Sequence, residues 1–165
     1  MSGPRLHVSD ALTELDDHYY MGQALALAKE AFVQNEVPIG SVIVDASGAI
    51  VARGYNQSEQ RHCQVFHAEM VALMEAGTHR KDWRLEGCWV YVTLEPCSMC
   101  VSAIALSRAK GVVFATSSPL FGFHLDNKNQ FSLYNSDAFL VKEGVRKEES
   151  QELLKQFFDT KRIRV

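Results

Sequence analysis

Apolar positions recur along this chain at two periods, and their alternation predicts its elements. Met21, Leu25, Ala28 and Phe32 recur at helical spacing and mark the buried stripe of a first helix reaching about Gln34, with Asp16 or Asp17 as its N-cap. Glu36-Val37-Pro38 breaks that pattern. The run from Ile39 to Val44, the turn chemistry of Asp45-Ala46-Ser47-Gly48 and the return from Ala49 to Tyr55 predict a β-hairpin. Residues 56–66 are polar and irregular, hence a loop. A second helix is expected from near His67 through Met70, Leu73 and Met74, with Gly77 as its C-cap. Cys88 to Leu94 reads as a central strand, rich in Val, Tyr and Trp.

Pro96 suits the first turn of a third helix, which carries Val101, Ile104 and Ala105 and ends near Arg108. Gly111 to Ala115 is another buried strand and Phe139 to Val141 a short fifth one. Glu148 to Lys161 closes the chain as a helix with Leu153, Leu154, Phe157 and Phe158 apolar. Residues 116–135 carry no clear period. This order of elements implies an α/β fold of three layers, with helices on both faces of a mixed, about five-stranded sheet. Residues 1–16 read as an N-terminal arm and 17–162 as one domain.

Composition supports that reading. The 165 residues are 47% hydrophobic and 22% charged, as in a soluble globular protein. No apolar run approaches the roughly 18 residues that span a membrane, and the N-terminus lacks the apolar stretch of a secretory signal. A cytoplasmic protein is the expectation. Net charge is −3 and the pI about 6.1, below the range of strong nucleic-acid binders. An RNA-binding role therefore needs a local basic patch. Lys161, Arg162 and Arg164 offer one at the C-terminus, with Phe157 nearby as a further candidate RNA contact. His79, Arg80, Lys81 and Arg84 offer another.

The chemistry is concentrated in two short motifs, His67-Ala68-Glu69 and Pro96-Cys97-Ser98-Met99-Cys100. One imidazole and two thiolates are three good zinc ligands. Structural zinc sites normally close with four protein ligands, whereas catalytic ones keep a position for water. Three ligands beside a carboxylate therefore point to hydrolysis, with Glu69 moving protons. H-x-E followed by P-C-x-x-C is the pattern of zinc nucleobase deaminases. Cys63 and Cys88 read as unpaired thiols in a reducing compartment. Both helix starts carry partial positive charge, so they favour thiolates and carboxylates.

The match extends to Glu36-Val37-Pro38-Ile39-Gly40, Gly54-Tyr55-Asn56, His67-Ala68-Glu69-Met70-Val71-Ala72, Tyr91 through Cys100, Val112-Val113-Phe114 and Leu153 through Phe158. Over about residues 17 to 162 the chain resembles the cytidine deaminase superfamily, and within it the bacterial tRNA adenosine deaminases. The resemblance implies that superfamily's fold, one zinc ion per chain on His67, Cys97 and Cys100, and Glu69 as proton shuttle. It implies further that Asn56 hydrogen-bonds a flipped base, that Ile39 and Leu94 line the base pocket, and that the backbone of Ala68 helps orient the base. It also implies a homodimer and, as partner, a tRNA anticodon loop.

The segment Ser117 to His124 departs from the family pattern. Ser118 stands where an acidic substrate-binding residue is expected, and bulky apolar residues replace basic and small ones. Three readings follow. One is hydrolysis of adenosine to inosine in RNA, at the tRNA wobble position. A second is deamination of a free nucleobase or nucleoside, with Leu120 to Phe123 as a lid and no basic rim. A third is a catalytically silent zinc-binding subunit, which has no need of Glu69.

Overall fold

A computed structural model of the chain describes residues 14–125 and 139–162. Its sheet comprises β1 (Gly40–Val44), β2 (Ile50–Tyr55), β3 (Trp89–Leu94), β4 (Gly111–Thr116) and β5 (Leu140–Glu143), in the order β2-β1-β3-β4-β5. β1 pairs antiparallel with β2 and with β3. β4 runs parallel to β3 and to β5. The sheet is mixed, as expected. All of β4, and β3 up to Thr93, is buried, because helices cover both faces and such strands become continuous apolar runs.

The helices are α1 (Glu14–Val33), α2 (Ala68–Arg80), α3 (Ser98–Leu106) and α4 (Lys147–Arg162). On one face Tyr20, Met21, Ala24 and Leu25 of α1 pack on Val42, Val44, Trp89, Tyr91, Val113 and Ala115. α4 lies on the same side, where Phe157 meets Phe32 edge-on at 5.6 Å and the Ser150 hydroxyl donates to the Thr93 carbonyl at 2.6 Å. On the other face Ala72 and Ala76 of α2 and Ile104 of α3 pack on Ile43, Ala52, Val90, Val92, Val112 and Phe114.

Two glycines set how closely the helices sit. A Cβ on Gly40 would strike the backbone of α1 at Ala24 and Ala28, and one on Gly54 would strike α2 at Ala68 and Ala72. Each helix therefore rests directly on bare strand. At Gly54 this seats the first turn of α2, which carries the chemistry.

Several boundaries differ from expectation. The first helix already begins at Glu14, within the expected arm, and residues 1–13 lie outside the described set. Asp16 and Asp17 are not caps but buried residues inside α1. Asp17 is tolerated there because the Tyr91 hydroxyl donates to it at 2.8 Å and Lys142 pairs with it at 3.1 Å. Gly77 is interior to α2 rather than its C-cap. Lys81 takes the left-handed cap at φ 54° instead, since one helical glycine costs only about 1 kcal/mol. Pro96 precedes α3 instead of entering its first turn, and Cys97 is the N-cap. α3 stops at Leu106, short of Arg108, which has positive φ.

Candidate active site

Two helix starts converge on one point. His67 is the N-cap residue of α2, with φ −66° and ψ 156°, and Cys97 is the N-cap residue of α3, with φ −74° and ψ 171°. Neither side chain caps its helix, so both are free to turn towards each other. Cys100 lies one turn into α3 and shares its face with Cys97. His67 Nδ1 is 3.6 Å from Cys97 Sγ and 3.5 Å from Cys100 Sγ. The three ligand atoms lie within 4.8 Å of one another, and among the described residues they form the single such group.

These residues fit zinc. Zn–S bonds of about 2.3 Å and Zn–N bonds of about 2.0–2.1 Å at tetrahedral angles put N and S about 3.6 Å apart. The observed spacings match that edge for both sulfurs. Cys63 is exposed and stands outside the group, so the donor set stays at three.

The electrostatics suit a metal. The hydrogen bond from the Cys100 thiol, helped by His67, pushes Cys97 down to about 4. The same hydrogen bond and burial push Cys100 up. The pair thus shares one negative charge that a divalent cation would complete to two. His67 is raised, chiefly by its hydrogen bond to Cys97. Glu69, in the first turn of α2, is 4% exposed, and burial pushes its carboxyl up to about 7. A group of that kind can both take and give a proton near neutrality.

The group lies at the floor of a cleft of about 810 Å³, which is the size of a small-ligand site. Ile39, Asn56, Leu94 and Ser118 line it together with His67, Glu69 and Cys97. The Asn56 amide is held on both sides, its Nδ2 donating to Glu36 at 3.3 Å and its Oδ1 accepting from the Ser58 hydroxyl at 3.0 Å. Ala68 is fully buried and does not line the cleft with its side chain. Its N–H belongs to the first turn of α2, where helical N–H groups lack intrahelical acceptors. Ser118 does not replace the expected acid in kind, because its hydroxyl accepts the Phe121 N–H at 3.3 Å within its own turn.

At the C-terminus the structure corrects one residue. Phe157 is buried at 5% exposure against Phe32, beneath Lys161, and cannot meet RNA. Phe158 and Leu154, on the cleft side of α4, line the cleft instead. Helical geometry forces the choice, since adjacent residues point about 100° apart. Lys161 donates to Asn35 Oδ1 at 2.6 Å and Arg162 is exposed beside Asp159, while Arg164 lies outside the described residues.

Sequence reasoning missed Glu36 and Glu95. Both are buried carboxylates lining the cleft, and each folds a loop around itself. Only Glu95, set between Leu94 and Pro96 at the end of an apolar strand, carried a local signal that it is buried, and nothing local named its partners. His124 is an exposed surface residue that is nonetheless tied down. Its Nδ1 lies 2.7 Å from Glu95 Oε1.

The family model for the cytidine and deoxycytidylate deaminase zinc-binding region matches residues 15–116. A tRNA-specific adenosine deaminase of Bacillus subtilis is 43% identical over 144 residues, which is 86% of this chain and 88% of that protein. A solved tRNA:A34 deaminase, studied for A-to-I editing at the wobble position of transfer RNA, superposes with a TM-score of 0.72 at 31% identity. It covers 82% of this chain and 98% of its own. A guanine deaminase from Nitrosomonas europaea shares the fold at a TM-score of 0.76 and 21% identity, covering 92% and 98%. The chain therefore belongs to the cytidine and deoxycytidylate deaminase family and is a zinc-dependent hydrolytic deaminase.

Proposed function

We propose that this protein converts adenosine to inosine in RNA, at the wobble position of a tRNA anticodon loop. One observation carries the reading. Buried Glu69 stands beside a three-atom metal cradle at the floor of a cleft large enough for a flipped base. Relatives that are tRNA-specific adenosine deaminases support adenosine and RNA as the substrate class. A duplex base cannot reach such a floor, whereas an anticodon-loop base is already unpaired.

His67, Cys97 and Cys100 hold one zinc ion per chain. When bound, zinc supplies the Lewis acidity that brings the pKa of a water towards about 7. Glu69 takes a proton from the attacking water and delivers it to the adenine ring, then helps protonate the departing amine. The C6–O bond forms, the C6–N bond breaks, and ammonia leaves. Asn56, held by Glu36 and Ser58, hydrogen-bonds the base. Ile39 and Leu94 close on the ring, and the Ala68 N–H helps orient it.

The exposed apolar side chains Met74, Trp83, Met99 and Leu106 on the α2 and α3 side suit a homodimer face. A sedimenting species of one chain mass at micromolar concentration would refute that. No helix of the described residues is long and apolar enough to cross a membrane.

Deamination of a free base is the competing reading, favoured by the absence of any basic residue from Ser117 to Phe123. Ammonia release decides between them, measured on a tRNA anticodon stem-loop and on free adenosine, cytosine and guanine. We expect turnover on the stem-loop. Turnover of a free base with none on tRNA would overturn the RNA assignment and leave the deaminase chemistry.

A further inference from the structure

The segment after β4 is where the chain departs from its family, and one carboxylate organises it. Glu95 follows β3 directly, and its N–H donates to the Thr116 carbonyl at 2.8 Å, which fixes its backbone between β3 and β4. Its side chain is 2% exposed. Oε2 accepts the Ser118 N–H at 2.9 Å, and Oε1 accepts the His124 N–H at 3.0 Å. His124 Nδ1 reaches the same carboxylate at 2.7 and 2.8 Å. The carboxylate's partners named here, Ser118 and His124, bound one seven-residue stretch.

The stretch is shaped to receive that carboxylate. A Cβ on Gly122 would collide with Glu95 Cδ and with the Ser118 carbonyl, so the glycine keeps the space open. Ser118 closes the turn twice, its carbonyl accepting the Gly122 N–H at 3.1 Å and its hydroxyl the Phe121 N–H. The Phe123 N–H donates to the Pro96 carbonyl at 3.0 Å, and its ring packs edge-on against Phe114 at 6.2 Å. With Phe123 turned inward, Leu120 and Phe121 stand outward along the cleft, each 74% exposed. Two large apolar side chains so exposed would collapse into the cleft if the turn were loose. A turn fixed before binding avoids the ordering cost that a mobile one would add.

We propose that Glu95 is a positioning residue: by gripping Ser118 and His124 it holds the 118–124 turn as a rigid apolar wall whose Leu120 and Phe121 set the placement of the substrate base and its neighbour. Leu120 and Phe121 carry no charge, so they act through stacking and shape and not through phosphate contact. An aromatic face accepts any base, which suits placement more than sequence reading. In its substrate class this inference rests on the RNA reading above. The role of Glu95 does not.

The test uses zinc-loaded enzyme and the anticodon stem-loop, with 2-aminopurine at the nucleotide next to the target adenosine. A carboxamide has one acceptor oxygen where the carboxylate has two, so Glu95→Gln cannot hold both ends of the turn. We expect Glu95→Gln to raise KM for the stem-loop about tenfold or more, to change kcat by less than about threefold, and to abolish the stacking quench of 2-aminopurine. Phe121→Ala should lose the quench as well, and the double variant should lose no more than either single, because the two act as one unit. If Glu95→Gln fails to fold, His124→Phe, which removes the ring contact alone, must still raise KM. An unaltered KM and quench in the soluble variant would overturn the proposal. So would an equal fall of kcat and zinc content, which would assign Glu95 to the metal site. Should the wild type deaminate only a free base, the RNA reading falls. The positioning role is then read from the same KM-against-kcat split on that base, and an unaltered KM overturns it.

Discussion

The two walls of the cleft are built by the same device and end in opposite chemistry. On one side Glu36, fully buried, accepts the Gln60 N–H at 2.7 Å, the Glu59 N–H at 3.2 Å and the Asn56 amide at 3.3 Å. On the other, Glu95 accepts two backbone N–H groups and binds one imidazole. A buried carboxylate without partners costs several kcal/mol, so each acid commits its loop to one shape. The Glu36 wall then presents a polar amide, which can read a base edge. The Glu95 wall presents Leu120 and Phe121, which can only stack or exclude. Anchoring and recognition are separable: an acid inside the fold sets the loop, and the loop's outer residues set what it meets.

The floor shared by both walls carries the largest expected effect. Glu69→Gln keeps the volume and removes the proton shuttle. It should retain fold and zinc and lose about 10²–10⁴-fold in kcat. Ammonia release alongside metal analysis checks this. A variant that turns over at the wild-type rate would remove Glu69 from the mechanism, and both walls would then surround a different chemistry.

Breaking the polar wall comes next. Glu36→Gln leaves N–H donors at Glu59 or Gln60 without an acceptor, at a cost of about 1–3 kcal/mol in stability. Losing the grip on Asn56 should also lower kcat/KM by a factor on the order of 10–100. Asn56→Ala should reproduce the kinetic loss with less loss of stability, since the backbone donors keep Glu36. Thermal denaturation and steady-state kinetics on the stem-loop separate the two. Equal stability losses in the two variants would mean that Glu36 serves only Asn56 and does not shape the loop.

Much of this was legible in the chain. Strands β3 and β4 announce themselves as unbroken apolar runs, and the α1 stripe of Met21, Leu25 and Ala28 is buried as its period requires. The metal cradle was legible because zinc chemistry restricts both residue types and spacing. The walls were not. Glu36 and Glu95 pair with backbone N–H groups more than twenty residues away, and backbone donors leave no trace in residue identity. The inward turn of Phe157 was equally hidden, because it depends on Phe32 lying beside α4 and not on any local pattern. Asp17 misled for the opposite reason. A carboxylate near an expected helix start looks like a cap until Tyr91 and Lys142 claim it from the sheet.

The smallest effect concerns charge outside both walls. Leu120 and Phe121 contribute nothing to phosphate binding, so cations are needed elsewhere, and the C-terminal Lys161, Arg162 and Arg164 are candidates. In the free protein Lys161 rests on Asn35 and the Phe157 ring, and Arg162 faces Asp159 at 4.0 Å with both side chains largely exposed. An exposed pair such as Arg162–Asp159 contributes about 0–1 kcal/mol, so its loss should cost little stability, and thermal denaturation of the triple glutamine variant checks that its fold is intact. Each phosphate contact removed from a single strand should flatten the dependence of log affinity on log salt by roughly 0.7, giving a change of about 2 for the triple variant. At high salt the variant and the wild type should converge, which separates this loss from damage to either wall. Damage to the Phe121 side would persist at every salt concentration, because stacking is not screened. A triple variant whose salt slope equals that of the wild type would exclude this tail from the RNA path.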